Sequence, residues 1–468
     1  MTAGPASYAF HFRPAHGWMN DPNGLIEHRG VHHLFFQYNP TEATFGRMYW
    51  GHATSTDLVT WTEQPLALTP GEPGDYDRDG CWSGCAVATP DGQVVLIYSA
   101  HREGRDLSAV ARSDAADLAH WTKAPDNPVI ADWPPVPELT DLRDPAVSRT
   151  QTSWRQVLAG GRDSLINGRR DGNVEQPGWG GLLVTYVCES DELTRWRFDG
   201  VLLDGATMGL PGEVWECPDL FEVEPGLAVV ILSWYTRTSD DPTSHAHDVL
   251  WLTGALHDGR FTPNRYGRLD LGDRLYAPQS YATADGRRIL FGWLRTQQDP
   301  ASAGHPSVGA ATLPRVLQVV DGRLTQRPAA EVDRLPRAPL GRLDGDHPTL
   351  ELREPVSALE LTVTPAEAGD LAAASVELTG PDGHVMVISL AALADGSTWV
   401  HGTSGWLVEA AASSSARLLV DAGLVELFTD DGRAAATSDV ALSAVSRISI
   451  SRSPAAARVE VSAVGAAS

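Results

Sequence analysis

Apolar residues in this chain come in short runs broken by turns, and that pattern sets what it can fold into. The runs VHHLFFQY (31–38), QVVLIYSA (93–100), GLLVTYVC (181–188), LAVVILSWY (227–235) and RRILFGWL (287–294) are rich in β-branched and aromatic residues. Asp-Gly pairs often flank them, as at Asp91-Gly92 and Asp285-Gly286. This is the chemistry of strands joined by hairpins. Few stretches sustain a helical period. The chain therefore reads as all-β.

A weak repeat overlies the strands. Ser55-Thr-Asp-Leu-Val-Thr-Trp61 is echoed by Ser113-Asp-Ala-Ala-Asp-Leu-Ala-His-Trp121 and by Ser190-Asp-Glu-Leu-Thr-Arg-Trp196. Each copy is followed by further strand-like sequence. Repeats of several strands at such spacing read as propeller blades. The bland alternative is an ordinary turn carrying a core tryptophan.

At 468 residues the chain exceeds one ordinary core and suits two domains. Composition shifts near residue 325: 13 of the 15 tryptophans and all four cysteines precede it. The expected division is a propeller over 1–325, a linker over 326–348 with a helical turn at AAEVDRL, and a β-sandwich over 349–468. Acidic residues outnumber basic ones 60 to 36, which argues against nucleic acid or an anionic membrane as partner. Four cysteines are too few for a disulfide scaffold. The N-terminus carries no basic segment followed by an apolar one, so the expected location is cytoplasmic. Cys81 and Cys85 lack a matching Cys/His pair at zinc spacing, and no Walker or dinucleotide glycine pattern occurs. Neither metal nor cofactor is expected.

Three carboxylates stand out. Asp21 lies in Trp18-Met-Asn-Asp-Pro-Asn-Gly24, Asp144 in Asp141-Leu-Arg-Asp-Pro145, and Glu216 in Trp215-Glu-Cys-Pro-Asp219. Singly, an Asp before Pro is an ordinary turn. A propeller, however, brings distant strand ends together at its axis. Carboxylates clustered among aromatic residues are what glycoside chemistry needs, one ionised and one protonated about the scissile bond.

The W-M-N-D-P-N-G string, followed in order by R-D-P and E-C, resembles glycoside hydrolase family 32, which contains invertases, sucrose-6-phosphate hydrolases, inulinases and levanases. The resemblance extends through Phe36–Pro40, Trp50–Ser55, Trp82-Ser83-Gly84, Tyr276–Gln279, Phe291–Trp293 and Leu313–Arg315. In the second domain it takes in Val420-Asp421, Glu426–Phe428 and Asp431-Gly432. It implies a five-bladed β-propeller followed by a β-sandwich. It also implies Asp21 as nucleophile, Glu216 as acid/base and Asp144 as the group that binds fructose hydroxyls.

Asp21 should then be kept ionised by backbone N–H groups of its turn, and Glu216 should be protonated through burial or nearby negative charge, with Trp215 and Cys217 making its sequence surroundings apolar. Arg143 would orient a carboxylate or a sugar hydroxyl. Asn20, Gln37 and Ser83 are candidates for hydroxyl recognition, and Trp50, Trp82 and Trp293 for apolar walls. Where many relatives carry Ser, position 85 is Cys, which weakens any hydroxyl bond there. The expected substrate is sucrose or a short fructo-oligosaccharide. Sucrose-6-phosphate, fructan polymers and transfer to a sugar acceptor are the alternatives in the same family. A sugar-binding protein without activity is the alternative of another class. The loops Gly71–Asp79, Gly168–Trp179 and Thr238–His247 are candidates for the leaving-group side.

Overall fold

The computed structural model describes residues 8–113, 116–162, 180–237, 245–296, 306–365, 375–389, 398–402, 405–409, 415–439, 442–452 and 457–465. Of the loops just named, Gly168–Trp179 and most of Thr238–His247 lie outside them. The first two thirds of the chain form five blades, each an antiparallel meander of four principal strands. Their inner strands are Gly17–His28, Gly80–Ala88, Leu139–Arg149, Val214–Glu224 and Leu275–Ala282. These five pack side by side around a common axis, the first against the last. Gly17 and Trp18 also pair in parallel with Ser307 and Val308 from blade 5, which closes the ring.

The tryptophan repeat has a definite structural meaning. In blades 1, 2 and 3 it forms the connection from third to outer strand. Leu58, Leu118 and Leu193 each adopt a left-handed φ (66°, 54° and 54°). In each copy the indole N–H donates to that leucine's carbonyl, Trp61 to Leu58 at 3.1 Å, Trp121 to Leu118 and Trp196 to Leu193 at 2.9 Å. The motif is thus a capped turn, repeated because three blades need the same corner.

The second domain is a sandwich of a six-stranded and a four-stranded sheet around Leu359, Leu361, Val376, Leu418, Ile448 and Val459. The segment 326–348, expected as a linker, is mostly structured. The outer strand of blade 5 runs to Pro328, a 3₁₀ turn spans Ala330–Arg334, and Arg337–Leu343 is already a sandwich strand. Among the described residues no helix is long and apolar enough to cross a membrane.

The two domains meet around a buried ionic network. His11 Nδ1 bonds Asp421 Oδ2 and its Nε2 bonds Glu426 Oε1, both at 3.0 Å. Arg315 donates to Glu426 and, at 3.0 Å, to Asp270. Burial opposes charge on His11, but the hydrogen bonds its ring nitrogens donate to the two carboxylates outweigh it and raise its pKa to about 9. Burial would raise Glu426, yet Arg315 and His11 hold its carboxyl below the usual value. Removing one member of such a network leaves its partners charged and unpaired, at about 3–5 kcal/mol. Glu426→Ala should therefore lower the melting temperature by several degrees while kcat of the folded enzyme is retained. An unchanged melting curve, or a large loss of kcat without destabilisation, would contradict this assignment.

Candidate active site

Each inner strand carries the same irregularity near its axial end. Pairing with the second strand slips between Met19 and Pro22, Trp82 and Gly84, Glu216 and Asp219, and Tyr276 and Gln279. In blade 3 the slip falls between Arg143 and Ala146, opposite Val157 and Ala159. These are β-bulges, which bend the strand and re-aim side chains. The bulged residues are Asp21, Ser83, Asp144, Cys217 and Ala277. Asp144, Cys217 and Ala277 have left-handed φ of 60°, 46° and 47°. For a non-glycine residue that conformation is strained by about 1–3 kcal/mol and needs support. Support comes from fixed acceptors. The Asp144 amide donates to Ser99 Oγ (2.8 Å), the Ala277 amide to Ser233 Oγ (3.0 Å) and the Cys217 amide to Asp144 Oδ2 (2.9 Å).

The residue before each bulge faces the axis. Asn20, Trp82, Arg143, Glu216 and Tyr276 all line one cavity of about 660 Å³ at the end of the channel. Trp18, Asp21, Gln37, Phe45, Ser83, Asp144, Tyr235, His247, Trp293 and Arg295 complete its wall. That volume suits a small-molecule ligand, and the mixture of aromatic faces with convergent polar groups suits a sugar.

Asp21 accepts from side chains. Ser83 Oγ donates to Oδ2 at 2.6 Å, Asn20 Nδ2 to Oδ1 at 3.1 Å and the Cys217 thiol to Oδ2 at 3.4 Å. Asn20 is itself oriented by the Trp18 indole N–H, 2.9 Å from its Oδ1. The expected backbone donors are replaced by these groups because the bulge turns the carboxylate toward the axis, where Ser83 of blade 2 and Cys217 of blade 4 reach it. The expected lowering of the Asp21 pKa is not found: burial is the largest influence and raises it, and the charge of Glu216 adds to the rise. Ser83, Asn20 and Cys217 pull in the opposite direction.

Glu216 sits in a polar cradle. Arg143 donates to its Oε1 from Nη2 (2.8 Å) and Nε (3.1 Å), and the Tyr276 hydroxyl donates to Oε2 at 2.6 Å. Arg143 also holds Asp141 at 3.1 Å. The expectation of an apolar setting beside Trp215 fails for a simple reason: adjacent strand residues point to opposite faces. Trp215 is fully buried in the blade core, its indole donating to the Pro211 carbonyl at 2.7 Å. Burial and the neighbouring Glu216 push the Tyr276 hydroxyl well above its usual pKa, so it remains a donor.

Asp144 is strongly perturbed. Burial raises it, Arg143 opposes, and Glu216 and Asp21 add to the rise, bringing its pKa to about 7. The unfolded chain releases this proton near pH 4, whereas the folded chain holds it to about pH 7. Between those values the folded state binds the extra proton, so stability falls as pH rises and the full penalty is present above pH 7. Asp144→Asn removes that penalty. Its melting temperature should exceed that of the parent at pH 8, with the gap closing toward pH 4. A gap independent of pH would refute the burial argument.

Of the expected wall residues, Trp82 and Trp293 line the cavity and Trp50 does not. Trp50 is fully buried inside blade 1, its indole donating to the Trp82 carbonyl at 3.0 Å. It lies on the third strand from the axis and acts as packing. Gln37 is buried against the wall, donating to the Cys81 carbonyl at 3.0 Å. Cys85 faces away into the core, where its sulfur accepts the Val147 amide at 3.2 Å and burial pushes the thiol up to about 12. Trp18, Phe45, Tyr235, Tyr276, His247 and Arg295 were not singled out from sequence. Among the described residues no group of His, Cys, Asp and Glu is arranged to hold a metal.

Residues 11–328 match the family model described as the glycosyl hydrolases family 32 N-terminal domain. A raffinose invertase of Escherichia coli is 36% identical over 374 residues, covering 76% of this chain and 71% of that protein. A sucrose-6-phosphate hydrolase of Zymomonas mobilis is 31% identical over 368 residues, covering 75% of this chain and 68% of that protein. Among solved structures, a Bombyx mori β-fructofuranosidase superposes with a TM-score of 0.77 at 25% identity, covering 98% of this chain and 94% of that one.

Proposed function

This chain belongs to glycoside hydrolase family 32 and is a glycoside hydrolase of the β-fructofuranosidase type; from that premise we propose a retaining enzyme that removes the terminal β-linked fructofuranosyl unit of sucrose and of short fructo-oligosaccharides. The observation that carries the reading is the meeting of two carboxyl groups on one cavity, each with its own set of donors. Asp21 is held by three uncharged donors, whereas Glu216 is held by a guanidinium and a phenol.

In the first step the Asp21 carboxylate attacks the anomeric carbon. The bond to the glycosidic oxygen breaks, and Glu216 gives that oxygen its proton, leaving a fructosyl ester on Asp21. Arg143 can only donate, so Oε1 of Glu216 remains an acceptor and the acid proton is delivered from Oε2, turned away from the Tyr276 hydroxyl that donates to the same oxygen. In the second step Glu216 takes a proton from water as the water attacks the same carbon, which frees Asp21 and fructose. Asp144 accepts hydroxyl protons of the bound fructosyl ring, because its Oδ2 already serves the Cys217 amide and Oδ1 takes no hydrogen bond from the described residues. Asn20, Gln37, Ser83 and Arg143 set the polar side of the ring site, and Trp18, Trp82 and Trp293 the apolar side.

A phosphorylated substrate is the second reading, and one residue favours it. Arg295 lies over the rings of Tyr276 and Trp293, 5.7 Å from each centroid, and forms no ion pair among the described residues. A cation so placed suits a phosphate on the leaving sugar. The test is the initial rate of fructose release from sucrose, sucrose-6-phosphate, inulin and levan at matched concentrations, with Asp21→Ala as blank. β-Fructofuranose should be the first anomer seen by NMR. Release of the α-anomer first would exclude retention, and no release from any substrate would exclude the activity. A preference for sucrose-6-phosphate that vanishes in Arg295→Ala would establish the second reading.

A further inference from the structure

Trp82 lines the cavity one residue before Ser83, the group that donates to Asp21. What holds the indole is unusual. Its N–H has no hydrogen-bond partner among the described residues, so no polar contact fixes the ring. Instead one face lies flat on the imidazole of His101, with centroids 3.8 Å apart and planes 7° from parallel. The edge of Phe45 meets the same indole at 5.9 Å.

The stack follows from strand register. Trp82 pairs with Ser99 and Gly80 with His101, so His101 is the diagonal neighbour of Trp82 on the next strand. The indole can lean across only because residue 80 has no side chain. A Cβ at Gly80 would come within 2.8 Å of the indole Nε1 and 2.9 Å of Cδ1. His101 is fixed in turn by Asp106, directly opposite it across the following hairpin, with Nδ1 2.7 Å from Oδ1. Asp106 is itself buried.

We propose that His101, pinned by Asp106, is a positioning residue that holds Trp82 flat as the platform for the substrate's sugar ring. The inference rests on the fructosidase reading given above. It makes binding of the ring depend on a residue that lines no part of the cavity. A platform free to rotate loses contact with the sugar in both ground and transition state, and this uniform loss falls on KM. His101→Ala should therefore raise KM for sucrose about tenfold and leave kcat of the folded protein within about threefold, even though Asp106 loses its partner and the melting temperature falls. His101→Phe, which restores a flat ring without the Asp106 bond, should recover most of the KM. The affinity of sucrose for the inactive Asp21→Ala protein, read by calorimetry, should fall in parallel when His101→Ala is added.

An unchanged KM in His101→Ala, with fructose release by the parent intact, overturns the platform and leaves the activity standing. An equal loss in Phe and Ala variants, or a fall in kcat at constant KM, overturns it as well. Absence of fructose release by the parent would instead fall on the functional reading.

Discussion

Asp21→Asn should fold like the parent and lose fructose release by about 10⁴-fold or more, the scale on which removal of a covalent nucleophile is felt. The amide cannot form the ester, so both steps of turnover disappear together. Folding should survive, because the amide oxygen can still accept from Ser83, 2.6 Å away in the parent. The change also removes a buried negative charge that Glu216 repels. The one new conflict is local. An NH₂ group on the Asn20 side would face that residue's own NH₂, which the Trp18 indole holds in place. The decisive comparison is kcat against melting temperature. Turnover within tenfold of the parent at normal stability would remove Asp21 from the chemistry.

Glu216→Gln should show a loss that depends on the leaving group. Gln keeps an oxygen for Arg143 and presents an NH₂ to the Tyr276 oxygen, so the cradle is preserved. What it lacks is the transferable proton, a deficit of about 10²–10⁴-fold for general acid/base work. For sucrose, whose leaving alkoxide needs that proton, the full loss should appear. For a fructofuranoside with an acidic phenol as leaving group, ester formation should be nearly normal and hydrolysis of the ester slow. Added azide, which attacks without needing a base, should then restore turnover and yield a fructosyl azide. An equal loss on both substrates, unaffected by azide, would place Glu216 outside proton transfer.

The three carboxyl residues gathered at the cavity were legible because bulges leave a mark in sequence. Asp21, Asp144 and Glu216 all lie within two residues of a proline at the axial end of an inner strand. The same mark stands at Ala277-Pro278, and counting back one residue would have nominated Tyr276. Trp50 and Trp215 misled because type alone does not say which face of a strand, or which strand of a blade, a side chain occupies. Alternation sends Trp215 into the core beside an axial Glu216, and Trp50 sits two strands from the axis. Composition put a division near residue 325, inside the outer strand of blade 5, which runs to Pro328. The strand Arg337–Leu343 was hidden, since Pro339 and the arginines around it read as linker chemistry although their strand pairs with the chain's last one. Phe45 and Arg295 reach the cavity from connections, and His247 from the start of the strand His245–His257 opposite Tyr235; their course depends on packing between blades, which local sequence does not encode.

The repeated bulge separates the architecture of the ring from its chemistry. Hydrogen-bonded ladders and blade cores are built by residues on either side of it, whereas the bulge itself gives each inner strand two positions at the channel. Ten side chains, two per blade, thus decide most of what the axial wall presents: here Asn20-Asp21, Trp82-Ser83, Arg143-Asp144, Glu216-Cys217 and Tyr276-Ala277. Charge, hydrogen-bonding capacity and aromatic surface can be exchanged in those slots with little disturbance to the strands that hold them. Such a ring can acquire new reactivity by small local changes, and it confines the resulting strain to a few residues already held by fixed acceptors.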